Sequence, residues 1–262
     1  MRTKDISESQ LREAIPGMEE VSDLIQSYTY PLFRYDEHGR PTLFASCVFL
    51  EVDESFYLVT ARHALNGFTA GLLTRGRRTL FDIRGQGGMA QGVNGEEFDI
   101  AALKIDSEIV REHALRAIPP SMLTTAVEVR NPHSRAFCGF PVSKNKPADS
   151  LDRNTKMVTT RCYPYFGPAD FDVDYQAFAK SAEIHVGLHY EPGPDDSGRL
   201  LTTLPSPRGS SGGGAWLVPD FSKPGQVFLE GIMIECHENR YVFSTRIEHV
   251  IEFIRERVRP PV

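Results

Sequence analysis

The sequence predicts an all-β protein, built as barrels or a sandwich, with helices confined to its two ends. Three observations carry this reading. Short β-branched, aromatic and aliphatic runs recur at turn-spaced intervals between Thr29 and Phe243. Helical spacing of apolar residues is found only before Tyr28 and after Thr245. Between those points no strand alternates with a long helix, as a parallel sheet would require.

At the N-terminal end, Ile6, Leu11, Ile15, Val21, Leu24 and Ile25 fall at roughly helical spacing, and Pro16-Gly17 interrupts them. Two short helices or one broken helix are expected there. Residues 43–52 are a continuous β-type run, Asp53-Glu54-Ser55 is a turn, and 56–60 answer as the second strand of a hairpin. That hairpin delivers His63 just past its end. Further strands are expected at 72–74, 79–83 and 100–105. Gly85-Gln86-Gly87-Gly88 reads as a loop, because neither a helix nor a basic residue follows to complete a phosphate cradle.

Residues 116–125 are irregular and Pro-containing, suited to a linker between two halves. Strands then resume at 126–129, 135–138, 157–163, 177–179, 182–186, 215–218, 227–234 and 241–243. A Pro/Gly/Asp-rich segment, 190–199, leads to the turn Arg208-Gly209-Ser210-Ser211-Gly212-Gly213-Gly214. At the C-terminal end Thr245 and Glu248 are spaced as a capping box. Ile247, Val250, Ile251, Ile254 and Val258 form one apolar stripe on the helix that follows.

Bulk properties narrow the partners. The chain has 262 residues, enough for one large domain or two small ones sharing an interface. A formal net charge of -6 argues against nucleic acid as a partner. No apolar run is long enough to cross a bilayer, and residues 1–17 lack the apolar core of a secretion signal. Cys47, Cys138, Cys162 and Cys236 are scattered without CxxC pairing, which favours free thiols. These features together predict a cytoplasmic protein with no membrane partner.

The chemistry concentrates in three strings. Glycines flanking Ser211 let the backbone turn tightly and aim successive N–H groups at one point, a site for developing negative charge. Asp99, between Phe98 and Ile100, is expected to be partly buried and so to need a partner. His63 ends a strand. A serine hydroxyl becomes a nucleophile when a neutral imidazole accepts its proton and a carboxylate fixes the imidazole tautomer.

Thr60-Ala61-Arg62-His63, Phe98-Asp99-Ile100-Ala101-Ala102-Leu103 and Gly209-Ser210-Ser211-Gly212-Gly213 resemble the His, Asp and Ser motifs of chymotrypsin/trypsin-like serine peptidases, in the same chain order. Cys138-Gly139-Phe140-Pro141 is similar to a Gly-aromatic-Pro turn of bacterial members. The resemblance implies two six-stranded antiparallel β-barrels, a helical extension at 1–28 and a C-terminal helix. The first barrel would span 29–122 and carry His63 and Asp99; the second would span 123–262 and carry Ser211. It further implies His63 as general base, Asp99 as orienting carboxylate, Ser211 as nucleophile, and the Gly209 and Ser211 amides as oxyanion hole. The expected activity is hydrolysis of protein or peptide substrates without cofactor or metal. The N-terminal helices have no counterpart in that family and offer a docking face for a regulatory protein.

Three positions depart from the family pattern. Ser210 stands where secreted members carry an Asp that pairs with a newly cut N-terminus. Pro205 occupies the position of primary specificity, so a preference for Lys or Arg has no acidic support there. Met233-Ile234-Glu235 replaces the usual substrate-pairing edge.

Other readings share parts of this pattern. A catalytically inactive trypsin-like binding or scaffold module keeps the same strings without turnover. An esterase of the α/β-hydrolase type shares a GxSxG string, but its Asp and His must follow the serine, and too little chain remains. His185 with His189, and Cys236-His237-Glu238, lack metal-ligand spacing and are assigned to core and surface roles. Arg75-Gly76-Arg77-Arg78 is a solvated loop.

Overall fold

A computed structural model of the chain describes residues 8–65, 72–75, 80–83, 86–89, 98–126, 134–146, 151–152, 157–169, 173–190, 204–237 and 241–258. It opens with one helix, α1 (Glu8–Ser27), and Pro16 lies inside it. The expected break is therefore absent. The Pro-Gly pair marks a contact instead: a Cβ on Gly17 would stand 2.0 Å from the Phe221 carbonyl oxygen, so only glycine lets the helix lie this close. Beyond it Val21 and Ile25 are fully buried, each worth roughly 1.5–3 kcal/mol of apolar burial. Tyr28 packs near Trp216, with ring centroids 6.1 Å apart.

Seven strands follow in a first sheet: β1 (Thr29–Tyr35), β2 (Pro41–Val52), β3 (Ser55–Ala61), β4 (Leu72–Arg75), β5 (Leu80–Ile83), β6 (Gln86–Met89) and β7 (Ile100–Ile105). Their order is β5-β4-β1-β2-β3-β7-β6, with every neighbouring pair antiparallel. Seven strands are described, where the sequence marks five and the resemblance implies six. One of the two added is β6, the Gln86-Gly87-Gly88 stretch read from sequence as a loop. Its ladder with β7 needs only backbone groups, so the glycines do not prevent it. β1 and a short helix, α2 (Ser107–Glu112), also went unread.

Residues 116–125 contact both sheets. Ile118 pairs with Leu50 of the first sheet, and Leu123 pairs with Leu229 of the second. A two-stranded ribbon, β9 (Leu151–Asp152) with β10 (Met157–Val158), stands apart. The second sheet takes β8 (Ser134–Gly139), β11 (Tyr163–Pro168), β12 (His185–His189), β13 (Gly214–Val218), β14 (Phe228–His237) and β15 (Tyr241–Arg246). Its order is β11-β8-β13-β14-β15-β12, again antiparallel. The sheet curls so that its outer strands approach: a Cβ on Gly167 in β11 would lie 2.9 Å from Leu188 Cδ1 in β12.

Four expected strands need correction or lie elsewhere. Residues 157–163 are not one strand: β10 ends at Val158, residues 159–162 are irregular, and β11 begins at Tyr163. Residues 177–179 belong to a 3-10 turn, Gln176–Phe178, closed by Ala179 at φ 52. The Tyr175 carbonyl accepts from both Phe178 N and Lys180 N there, which a strand would forbid. Residues 182–184 are turn, and β12 begins at His185. The strand expected at 126–129 falls mostly outside the described residues, as do the polar segment beyond Tyr190 and the basic loop beyond Arg75.

The last helix, α3 (Ile247–Phe253), continues into one π-helical turn, Ile254–Val258. All five residues of its predicted stripe are buried. The capping box does not form: Arg246 is the N-cap residue, and Thr245 Oγ1 donates instead to the Phe98 carbonyl at 2.5 Å. No described helix is long and apolar enough to cross a membrane.

The core explains the uninterrupted apolar run of β2. Side chains alternate between faces along a strand, and here both faces are covered. Cys47 and Phe49 join Leu32, Leu58, Ala101 and Ile105 inside the first sheet. Val48, Leu50 and Val52 join Val59, Trp216, Leu229, Ile232 and Val250 in a core shared by both sheets and the terminal helices.

Candidate active site

His63 lies in a 3-10 turn, Arg62–Leu65, at the end of β3. Asp99 immediately precedes β7, the neighbour of β3, so the antiparallel ladder sets the two side by side. Three hydrogen bonds lock the junction. The Asp99 carbonyl accepts from Arg62 N at 2.8 Å, Asp99 Oδ1 accepts from His63 N at 2.9 Å, and Asp99 Oδ2 lies 2.6 Å from His63 Nδ1. One carboxylate thus caps the turn with one oxygen and orients the ring with the other. Asp99 holds φ 45, a conformation costly for a residue with a side chain, on the order of 1–3 kcal/mol. Its neighbours enforce it, including Thr245 of the second sheet through Phe98.

The carboxylate is largely covered, at 13% exposed, while the His63 ring is 46% exposed. The His63 pKa is raised, first by the hydrogen bond its ring donates to Asp99, against the opposing effect of burial, with further electrostatic support from Asp99 and Glu235.

The serine turn is held by backbone fit. Gly212 sits at φ 89, and a Cβ there would meet the Ser46 carbonyl oxygen at 2.1 Å and Thr60 Oγ1 at 2.2 Å. Glycine is therefore required on both counts. The Met233 carbonyl accepts from Gly212 N at 2.7 Å, and the Gly213 carbonyl accepts from Met233 N at 2.8 Å. From the first sheet, Ser46 N donates to the Ser211 carbonyl at 2.9 Å. Ser46 Oγ donates to the Gly209 carbonyl at 2.8 Å and accepts from Phe140 N at 2.9 Å. The Gly139-Phe140-Pro141 turn is thus the wall behind the serine turn, and Val142 N bonds Arg208 O at 2.8 Å on its far side.

Ser211 Oγ donates to the Ile234 carbonyl at 3.5 Å, the long end of hydrogen bonding. Among the described residues no hydrogen bond joins it to the His63 ring. The two residues share the same strand as a neighbour: Glu235, next to Ile234 in β14, is close enough to act electrostatically on His63. Glu235 itself is paired with Lys180 and, at 3.3 Å, with His237. Among the described residues neither Gly209 N nor Ser211 N donates to another protein group. Ser210 is fully buried, and its hydroxyl has no partner among the described residues.

So His63 and Asp99 are joined directly, Gly209 and Ser211 share the glycine turn, and among the described residues no hydrogen bond links Ser211 to either His63 or Asp99. Two residues were missed. Ser46 ties the first sheet to Gly209, Ser211 and Phe140, and its only sequence signal is a hydroxyl in an apolar run. Thr245, read as a helix cap, instead restrains Phe98. Of the histidines assigned to structure, His185 is buried with Nδ1 3.2 Å from the Ser181 carbonyl, and His189 packs on Tyr241. Among the described residues no group of three His, Cys, Asp or Glu side chains is placed to hold a metal ion.

No family model matches the chain, and no curated protein matches it. Among solved structures it is similar to one described as "Structure of GrC", granzyme C, a chymotrypsin-like serine protease. The alignment covers 89% of this chain and 94% of that one, with a TM-score of 0.56 and 12% identity. At that identity the likeness speaks for the fold, which agrees with the mostly β, two-sheet arrangement: the chain has a trypsin-like fold.

Proposed function

We propose that the chain is a serine endopeptidase acting on protein or peptide substrates through Ser211, His63 and Asp99. The observation that carries the proposal is the 2.6 Å contact between Asp99 and His63 Nδ1, beside the strand to which Ser211 also bonds. In this reading the Ser211 hydroxyl leaves the Ile234 carbonyl and gives its proton to His63 Nε2 as Oγ attacks the scissile carbon. Asp99 keeps the Nδ1–H tautomer in place and stabilises the imidazolium. The tetrahedral oxyanion is received by the amides of Gly209 and Ser211, whose lack of other acceptors among the described residues supports the assignment. Collapse expels the amine, which takes the proton from His63, and water then hydrolyses the acyl-enzyme by the same base.

The proposal extends to the setting. The lobes 29–122 and 123–262 contribute the base and the nucleophile respectively, no cofactor or metal takes part, and the work is cytoplasmic, which four free cysteines support. A regulatory partner would meet the solvent side of α1, where Glu19, Glu20 and Asp23 are exposed.

One observation favours a second reading, an inactive binding module: the Ser211 hydroxyl rests on Ile234 rather than on the histidine. Apo geometry is often looser than that of the substrate complex, so the contact alone does not decide. A fluorophosphonate probe does. Covalent labelling of Ser211, abolished in Ser211→Ala together with casein-type peptide hydrolysis, is the expected result. Turnover falling by less than about 100-fold in Ser211→Ala would overturn the assignment, since loss of such a nucleophile costs several orders of magnitude.

A further inference from the structure

The sequence separates Cys138 and Cys162 by more than twenty residues, yet their Sγ atoms lie 2.8 Å apart, and neither is in a disulfide. We propose that Cys138 and Cys162 are a reversible disulfide-forming pair, a modification site that clasps residues 159–163 to the strand beneath the serine turn. The site is independent of whether Ser211 is catalytic.

The geometry follows from the β8–β11 ladder. Cys138 stands opposite Pro164 and Cys162 immediately precedes β11, so the ladder brings both residues to the same end of the strand pair, where their Sγ atoms meet. A disulfide needs an S–S distance of about 2.0 Å, so closure requires each sulfur to move by less than an ångström. The movement has an obvious place to occur. β8 is flanked by β11 and β13, and the Cys138 carbonyl is packed against Gly213, where a Cβ would meet it at 2.0 Å. Cys162 lies in the irregular stretch before β11 and yields more easily.

That stretch is already tethered to the wall of the candidate site. Asn145 Nδ2 donates to the carbonyls of Pro141 at 2.8 Å and Arg161 at 3.0 Å, while its Oδ1 accepts from Arg161 N at 2.7 Å. A covalent bond one residue further on reinforces an existing contact. Exposure also sorts the roles. Cys162 is half-buried and reachable by an oxidant, whereas Cys138 is fully buried and acts as the resolving thiol. Cys47 offers a contrast: it is fully buried, and burial pushes its thiol well above the ordinary range.

The oxidant is a peroxide. The Cys162 thiolate attacks one peroxide oxygen and breaks the O–O bond, giving Cys162 sulfenic acid and, for hydrogen peroxide, a hydroxide that takes up the proton released by the thiol and leaves as water. Cys138 sulfur then attacks the Cys162 sulfur, the S–O bond breaks, and a second water leaves with the Cys138 proton. Two thiols and one peroxide become one disulfide and two waters, and a small dithiol reverses the change.

The test uses the full chain, treated with hydrogen peroxide or dithiothreitol, alkylated and digested without reduction. A peptide pair joined through Cys138 and Cys162, two hydrogens lighter than the separate peptides and released by dithiothreitol, is expected. The oxidised chain should melt roughly 5–10 °C higher than the reduced one, as closing a loop of this length suggests. Cys162→Ser should show neither the linked peptide nor the rise, and Cys162→Ala should behave the same. Recovery of Cys162 as sulfinic acid with Cys138 still alkylatable would overturn the proposal. So would a linked pair whose melting temperature is unchanged or lower.

Discussion

The two halves of the candidate site are built by different means. On the first sheet a side chain does the positioning: Asp99 uses one carboxylate oxygen to cap the turn and the other to hold the His63 ring. On the second sheet the backbone does it. Gly212 at φ 89, Met233 on both sides of the turn, and Ser46 from across the interface leave the serine loop little freedom, yet none of them touches the Ser211 hydroxyl. Under the proposed mechanism the base would thus be oriented before substrate arrives, whereas the direction of the Ser211 hydroxyl would be left to rotation about its own side chain. A hydroxyl has few rotamers, so fixing its backbone is sufficient. An imidazole needs its tautomer chosen, which only a charged acceptor achieves well.

The sharpest way to break this contrast is Asp99→Asn. The asparagine Oδ1 can still accept from His63 N, so the turn survives, but Nδ2 would present N–H groups to Nδ1. The ring would then carry its proton on the wrong nitrogen. Hydrolysis should fall by roughly 10³–10⁴-fold with the melting temperature little changed. A loss under tenfold, measured as kcat/KM on a peptide substrate, would mean that the base is oriented by something other than this carboxylate.

Ser46→Ala probes the other half. It removes a fully buried hydroxyl that bridges the Gly209 carbonyl and Phe140 N, leaving both groups without that partner. A cost of about 1–3 kcal/mol follows, visible as a fall of several degrees in the thermal midpoint. Probe labelling of Ser211 should slow by about tenfold, in keeping with the same free energy. Unchanged stability would show that backbone packing holds the turn without Ser46.

Ser46 also marks where the sequence stopped being informative. The strings around His63, Asp99 and Ser211 were legible because each sets a reactive group at the end of an apolar run, and chain order added the rest. The buried stripe of α3 was legible because helical periodicity is local. Ser46 acts on Gly209 and Phe140, which are 163 and 94 positions away, and nothing in its own surroundings announces that. The same holds for Cys138 and Cys162, whose meeting depends on the β8–β11 register. Thr245 was misread for a related reason: its spacing to Glu248 satisfied a local rule, but a backbone carbonyl from the other sheet claimed the hydroxyl. The helix across Pro16-Gly17 was likewise decided by a distant contact, at Phe221.

The smallest effect expected is one of pH, and it sharpens the contrast because the group it follows, His63, belongs to the first-sheet half. The Asp99 hydrogen bond raises the His63 pKa above its ordinary 6.5, and the base must be neutral to accept the Ser211 proton. The rate should therefore climb with pH along a limb centred above 6.5, and Asp99→Asn should move that limb down. Stability should run the other way. A histidine whose pKa is raised on folding contributes most below its unfolded value, and that contribution disappears as pH rises through the folded value. With the ring 46% exposed, solvent screens most of it, so the thermal midpoint should fall only slightly over the pH range in which activity rises. An ascending limb centred below 6.5 would place the imidazole in a different electrostatic setting from the one Asp99 creates.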